Sequence, residues 1–119
     1  MIFIKHKGII VNKINLIFIL LFIFQHVYAN DSSKFLSSKS VTIQAEILTK
    51  LLHQSGKSCG EGSKPFMQGF DKDNVAYWNL TCSNGKSWLI QLPSNSSSNT
   101  RLLECENMTG LDFACYKKL

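Results

Sequence analysis

Four cysteines carry most of the chemistry open to this 119-residue chain. Cys59, Cys82, Cys105 and Cys115 show no C-x-x-C spacing, so neither a zinc site nor a thioredoxin-like redox pair is encoded. An even count in a short chain predicts two disulfides instead. With all four bridged, no cysteine nucleophile remains for His53 to activate, and one histidine beyond residue 29 cannot build a metal cluster. His53 falls near the end of a predicted helix, where a cation meets the partial negative charge of the last carbonyls. Asp71 and Asp73 sit in the turn cluster Asp71-Lys72-Asp73-Asn74, where side-chain-to-backbone hydrogen bonds account for them. Glu104 and Glu106 flank Cys105 and could alternate outward from a strand; a paired-carboxylate glycosidase site can be drawn from such residues, but no pocket is implied. Neither G-x-S-x-G nor a P-loop occurs, and Gly60-Glu61-Gly62 is too slight for a phosphate cradle. The expectation is a chain with no catalytic residue, no metal and no cofactor.

The first 29 residues read as an address. Lys5, Lys7 and Lys13 give a positive start, Leu16–Phe24 is an unbroken apolar run, and a short tail ends in Val27-Tyr28-Ala29. This is the anatomy of a secretory signal peptide cleaved between Ala29 and Asn30. At roughly 1.5 Å per residue the run reaches about half of a ~30 Å hydrocarbon core, too short for a membrane anchor. Removing the segment changes the charge. The chain carries +5, but three of its 13 lysines and arginines and none of its 8 acids lie in the first 29 residues, which leaves +2. Nucleic acid is therefore not indicated, and no stretch interleaves basic and aromatic residues. The remaining chain is one domain whose core is marginal without covalent help.

The elements that must position these residues follow from periodicity. Residues 30–39, NDSSKFLSSK, read as a flexible polar lead-in. Val41, Ala45, Leu48 and Leu52 then recur at helical steps, with Ile47 and Leu51 widening the stripe, Ser40 as N-cap and Gly56 as stop. Phe66–Phe70, Val75–Cys82, Lys86–Leu92 and Thr100–Cys105 read as strands, with the polar loop PSNSSSN at 93–99 between the last two. Beyond Cys105 the chain reads as short and irregular, with a turn at Gly110. The predicted fold is α+β: one N-terminal amphipathic helix packed on a three- to four-stranded antiparallel meander, occupying residues 40–119.

Register within the hairpin follows from its buried face. A two-residue Asn84-Gly85 loop would send the triplets Trp78/Leu80/Cys82 and Trp88/Ile90/Leu92 to opposite sides of the sheet. A three-residue loop with Gly85 as a left-handed bulge puts Leu80 opposite Trp88 and Trp78 opposite Ile90, on one face. The predicted core is Leu48, Leu52, Trp78, Leu80, Trp88, Ile90 and Leu103, with the tryptophans in it rather than forming a ligand platform. The same layout favours the bridges Cys59–Cys82 and Cys105–Cys115, with Cys82–Cys105 plus Cys59–Cys115 as the alternative.

The run Ala-Tyr-Trp-Asn-Leu-Thr-Cys-Ser-Asn-Gly at 76–85, preceded by Cys59 and followed by an apolar strand, Leu103-Glu104-Cys105, Gly110 and Cys115, resembles a group of small exported bacterial proteins. These carry a Tyr- or Trp-rich strand ending in Cys-x-Asn/Asp-Gly and a later cysteine pair. The resemblance spans residues 59–115 and implies export and fold; the group brings no assigned activity. The PSNSSSN loop and Trp88 depart from its pattern.

Asn30, Asn79, Asn95 and Asn107 open N-x-S/T sequons, and the bulged register places Asn79 on the outward face. Two function classes fit the poverty of catalytic residues. One is an exported, periplasmic or secreted non-catalytic module that binds a protein partner, or joins an envelope assembly, through its sheet face or polar loop. The other is a secreted inhibitor of an envelope hydrolase, or a small hydrolase itself.

Overall fold

The computed structural model describes residues 30–95, 99–108 and 114–119. The signal-peptide reading of residues 1–29, the centre of the 93–99 loop and the turn at Gly110 lie outside the described residues. Two helices, α1 (Asp31–Ser37) and α2 (Val41–Gln54), precede four strands and a short 3-10 turn, η1 (Cys105–Met108). The strands are β1 (Gly62–Phe70), β2 (Ala76–Cys82), β3 (Ser87–Leu92) and β4 (Arg101–Glu104), and they form one antiparallel sheet in the order β1-β2-β3-β4.

Helix α2 forms where its caps dictate. Ser40 Oγ accepts from Ile43 N–H at the start. At the end, Gly56 N donates to His53 O and Lys57 N to Leu52 O, the paired bonds of a Schellman stop. Its stripe of Ala45, Leu48 and Leu52 packs on Trp78, Leu80, Trp88 and Ile90. Gly62 brings β1 close beneath the helix: a Cβ there would run into Thr49 Oγ1 and the Leu80 side chain, while Gly62 N donates to Thr49 Oγ1.

The hairpin takes the bulged register. Cys82 N donates to Lys86 O and Gly85, at φ 87°, supplies the left-handed residue, so Leu80 faces Trp88 and Trp78 faces Ile90. Both disulfides follow the local pairing, Cys59–Cys82 and Cys105–Cys115.

Three expectations need correction. Residues 30–39 are no flexible lead-in: Asn30 caps α1 through Ser33 N, and its Nδ2 donates to Asn74 O and Leu92 O, across the turn before β2 and the end of β3. Ser33 and Leu36 are buried beneath α1, and these long-range contacts hold a helix too short to persist alone. Leu103 is not in the helix-side core. Pairing of Ile90 with Leu102 and of Leu89 with Leu103 turns Leu102 toward α2 and Leu103 to the other face. The first strand is also longer than Phe66–Phe70, because register shifts between Ser63 and Phe66 and between Met67 and Gly69 carry Pro65 through it.

The sheet is covered on both sides. On the face away from α2, Leu89 is fully buried, η1 packs on β3 and β4, and residues 114–119 lie over Gln68 and Asn79.

Candidate functional site

The titratable residues that could do chemistry are scattered. His53 is exposed in the last turn of α2. Asp71 holds the β1–β2 turn: its Oδ1 accepts from Asp73 N and Val75 N, and its Oδ2 accepts from Tyr77 OH. Burial, with this bond to the Asp71 carboxylate next, raises the Tyr77 pKa above the ordinary phenol value. Glu104 pairs with Lys86 at 3.3 Å and Glu106 is exposed in η1. Cys59, Cys82, Cys105 and Cys115 are all bridged. Glu61, between Gly60 and Gly62, is tied by its N–H to Ser83 Oγ rather than opened as a cradle. Among the described residues, no group of three or more His, Cys, Asp or Glu side chains is placed to hold a metal.

The tryptophans are structural. Trp78 is buried with its Nε1 donating to Ser33 Oγ at 2.9 Å. Trp88 is buried with Lys57 Nζ 5.7 Å from its ring centroid, and among the described residues its Nε1 has no hydrogen-bond partner. The sequons divide as well. Asn30 and Asn79 have buried side chains engaged in hydrogen bonds, whereas Asn95 and Asn107 are exposed. Asn79 does point away from α2, but residues 114–119 cover it.

Besides a cleft of about 470 Å³ where Val41, Glu46 and Thr49 of α2 face residues 60–65, two further clefts among the described residues are places where something can bind. One is polar, about 380 Å³, formed where the Asp71–Val75 turn meets Pro93, Ser94, Asn95, Asn99 and Arg101 on the two sides of the 93–99 loop. Its carboxylate Asp71 is committed to the turn, so it offers hydrogen bonding and the charges of Asp73 and Arg101.

The other is apolar, about 600 Å³, between α1 and α2. It exists because the apolar stripe of α2 is wider than the sheet can cover. Ala45, Leu48 and Leu52 meet the sheet; Ile47 and Leu51, four apart, form a second row that lines the cleft beside α1. Leu36 closes the inner end and Phe35 stands at the mouth, 54 % exposed, with Lys39 Nζ 4.7 Å from its ring centroid. Asp31 and Lys50 bring both charges to the rim. Ile47 and Leu51 are readable from sequence as a widened stripe, but their counterpart Phe35-Leu36 lies in a serine-rich run. The available signal was the pair of apolar residues in that run behind Asn30 as an N-cap.

Among the described residues no helix is long and apolar enough to cross a membrane. No family model matches the chain, and no curated protein or solved structure matches it.

Proposed function

We propose that this chain is a small exported, non-catalytic, disulfide-stapled module that binds another protein in the envelope space or outside the cell, and that the α1–α2 cleft is where it does so. The observation that carries the reading is Phe35, more than half exposed at the mouth of an apolar cleft floored by Leu36, Ile47 and Leu51. An exposed aromatic beside a partly buried apolar floor, rimmed by charges of both signs, has the make-up of a protein-binding hot spot. Export is supported by the two disulfides, which persist in oxidising compartments, and by the Lys-rich start, apolar run and Val-Tyr-Ala tail of the first 29 residues. N-terminal sequencing of the exported protein should begin at Asn30 or within a few residues; intact Met1 in a carbonate-resistant membrane fraction overturns export.

The binding reading is tested with a photo-crosslinking amino acid at position 35 in cells. One dominant, stoichiometric adduct is expected, lost when Leu51→Lys is added. Failure to form any adduct in cells that export the protein normally overturns it. A hydrolase in that adduct, with its activity suppressed, selects the inhibitor form of the same reading.

A further inference from the structure

On the other side of the sheet, residues 114–119 are held as a bound peptide is held. Gln68 and Asn79, 1 % and 0 % exposed, form a carboxamide pair on β1 and β2. The register shift between Met67 and Gly69 leaves Gln68 outside the strand pairing and aims it at its neighbour. Among the described residues their remaining bonds go to main chain: Gln68 Nε2 donates to Ala114 O (2.6 Å) and Lys117 O (2.8 Å), and Asn79 Oδ1 accepts from Tyr116 N (2.6 Å). Leu119 N donates to Gln68 O, a strand-like bond to the β1 edge. Two side chains add specificity. Tyr116 OH hydrogen-bonds with Thr81 Oγ1 and Lys64 O, its ring 5.9 Å from that of Phe66. Lys118 Nζ donates to Met67 O and sits 5.1 Å from the Phe66 ring centroid.

The covalent restraint on this segment is Cys105–Cys115. The two bridges differ in access: Cys59 and Cys82 are buried, whereas Cys105 and Cys115 are both partly exposed. Thiol–disulfide exchange requires a thiolate to reach a sulfur, so the outer bridge reacts first.

We propose that residues 114–119 are a built-in occupant of a peptide-binding face, latched by Cys105–Cys115, and that opening the latch admits a Tyr-x-Lys segment of a partner protein that adopts the same turn, with its tyrosine in the left-handed region as Tyr116 is at φ 62°. The opening reagent is a dithiol. One of its thiolates attacks a sulfur of the bridge to give a mixed disulfide, and its second thiol displaces the protein sulfur. The dithiol ends as a disulfide, and Cys105 and Cys115 end as two thiols. The occupant in place sets the mode of recognition: the carboxamides bond the main chain of a turn spanning Ala114 to Lys117, while the slots beside Thr81 and above Phe66 select the aromatic and the lysine two residues on. This surface is separate from the α1–α2 cleft, so the two readings stand or fall independently.

The test uses the full mature chain carrying Cys105→Ser and Cys115→Ser, with a fluorescent peptide Ala-Ser-Tyr-Lys-Lys-Leu as probe in polarisation titrations. Saturable binding with a midpoint of ~1 mM is expected, since the chain's own tethered segment competes at an effective concentration of that order. Oxidised wild type should bind at least about tenfold more weakly. In the Tyr116→Ala background, where the internal competitor is weakened, Gln68→Ala should weaken probe binding about tenfold, the effect of losing two main-chain hydrogen bonds. Tyr116→Ala should strengthen it, because it weakens only the internal competitor. Equal binding by oxidised wild type, or weaker binding by Tyr116→Ala, overturns the proposal. If the double serine variant does not fold, wild type treated with limiting dithiol and alkylated serves instead; labelling of Cys59 and Cys82 before Cys105 and Cys115 also overturns it.

Discussion

Asn79 Nδ2 donates to Gln68 Oε1 at 3.0 Å across β2 and β1, beneath residues 114–119, and both side chains are fully buried. A polar pair on the outer face of a small sheet is stable only because each amide is satisfied: Asn79 by Gln68 and Tyr116 N, Gln68 by Asn79 and two carbonyls.

Breaking that pair therefore costs more than the one bond. Asn79→Asp replaces the donor with a carboxylate oxygen facing Gln68 Oε1, and should destabilise by at least about 2–3 kcal/mol, read as a lower urea midpoint. The same burial forbids a glycan. When the chain is expressed through a eukaryotic secretory pathway, the folded fraction should carry no sugar at Asn79 or Asn30 by peptide mass spectrometry.

The two tryptophans should answer differently to the same substitution. Trp78→Phe removes the bond to Ser33 Oγ and leaves that hydroxyl buried, so a loss of about 2 kcal/mol is expected. Trp88→Phe removes a buried donor that has no partner among the described residues, so the smaller ring is partly offset and the loss should be clearly less. Equal shifts in thermal midpoint would show that the Trp88 indole nitrogen is satisfied in solution. Truncating either residue to Ala should cost about 3–5 kcal/mol.

Asn30 acts as a three-way peg joining α1, the β1–β2 turn and the end of β3. Asn30→Ala should cost about 1–2 kcal/mol and speed amide exchange at Ser33 and Lys34 far more than in β2. Uniform acceleration across the domain would mean that α1 and the sheet open as one unit.

Tyr116 gives a pH signature. Burial raises its pKa above the ordinary 10.0, opposed by the hydrogen bond with Thr81. The folded protein holds this proton more tightly than the unfolded chain does. The contribution is thus complete below the unfolded pKa near 10 and is lost as pH rises toward the folded value. Tyr116→Phe should flatten the alkaline fall of the thermal midpoint, measured against wild type so that lysine titration cancels. An unchanged slope would place the phenol in water.

The sequence by itself determined the local and covalent features. Ser40 and Gly56 bound α2, Gly85 set the hairpin register, and cysteine order allowed the bridges Cys59–Cys82 and Cys105–Cys115 to close locally. Each follows from residue type and spacing within a few turns of chain, where φ preference and face alternation leave little choice. Tertiary structure decided the rest. Residues 31–37 are helical because Asn30 and Leu36 find partners far along the chain. Leu102 rather than Leu103 joins the core because β3 fixes the β4 register. Asn79 is buried because residues 114–119 return over it. Polar side chains look alike in a sequence whether they face water or each other; only long-range placement decides which amides become desolvated, and the α1–α2 cleft and the peptide-like cover of the outer sheet face arise in the same way.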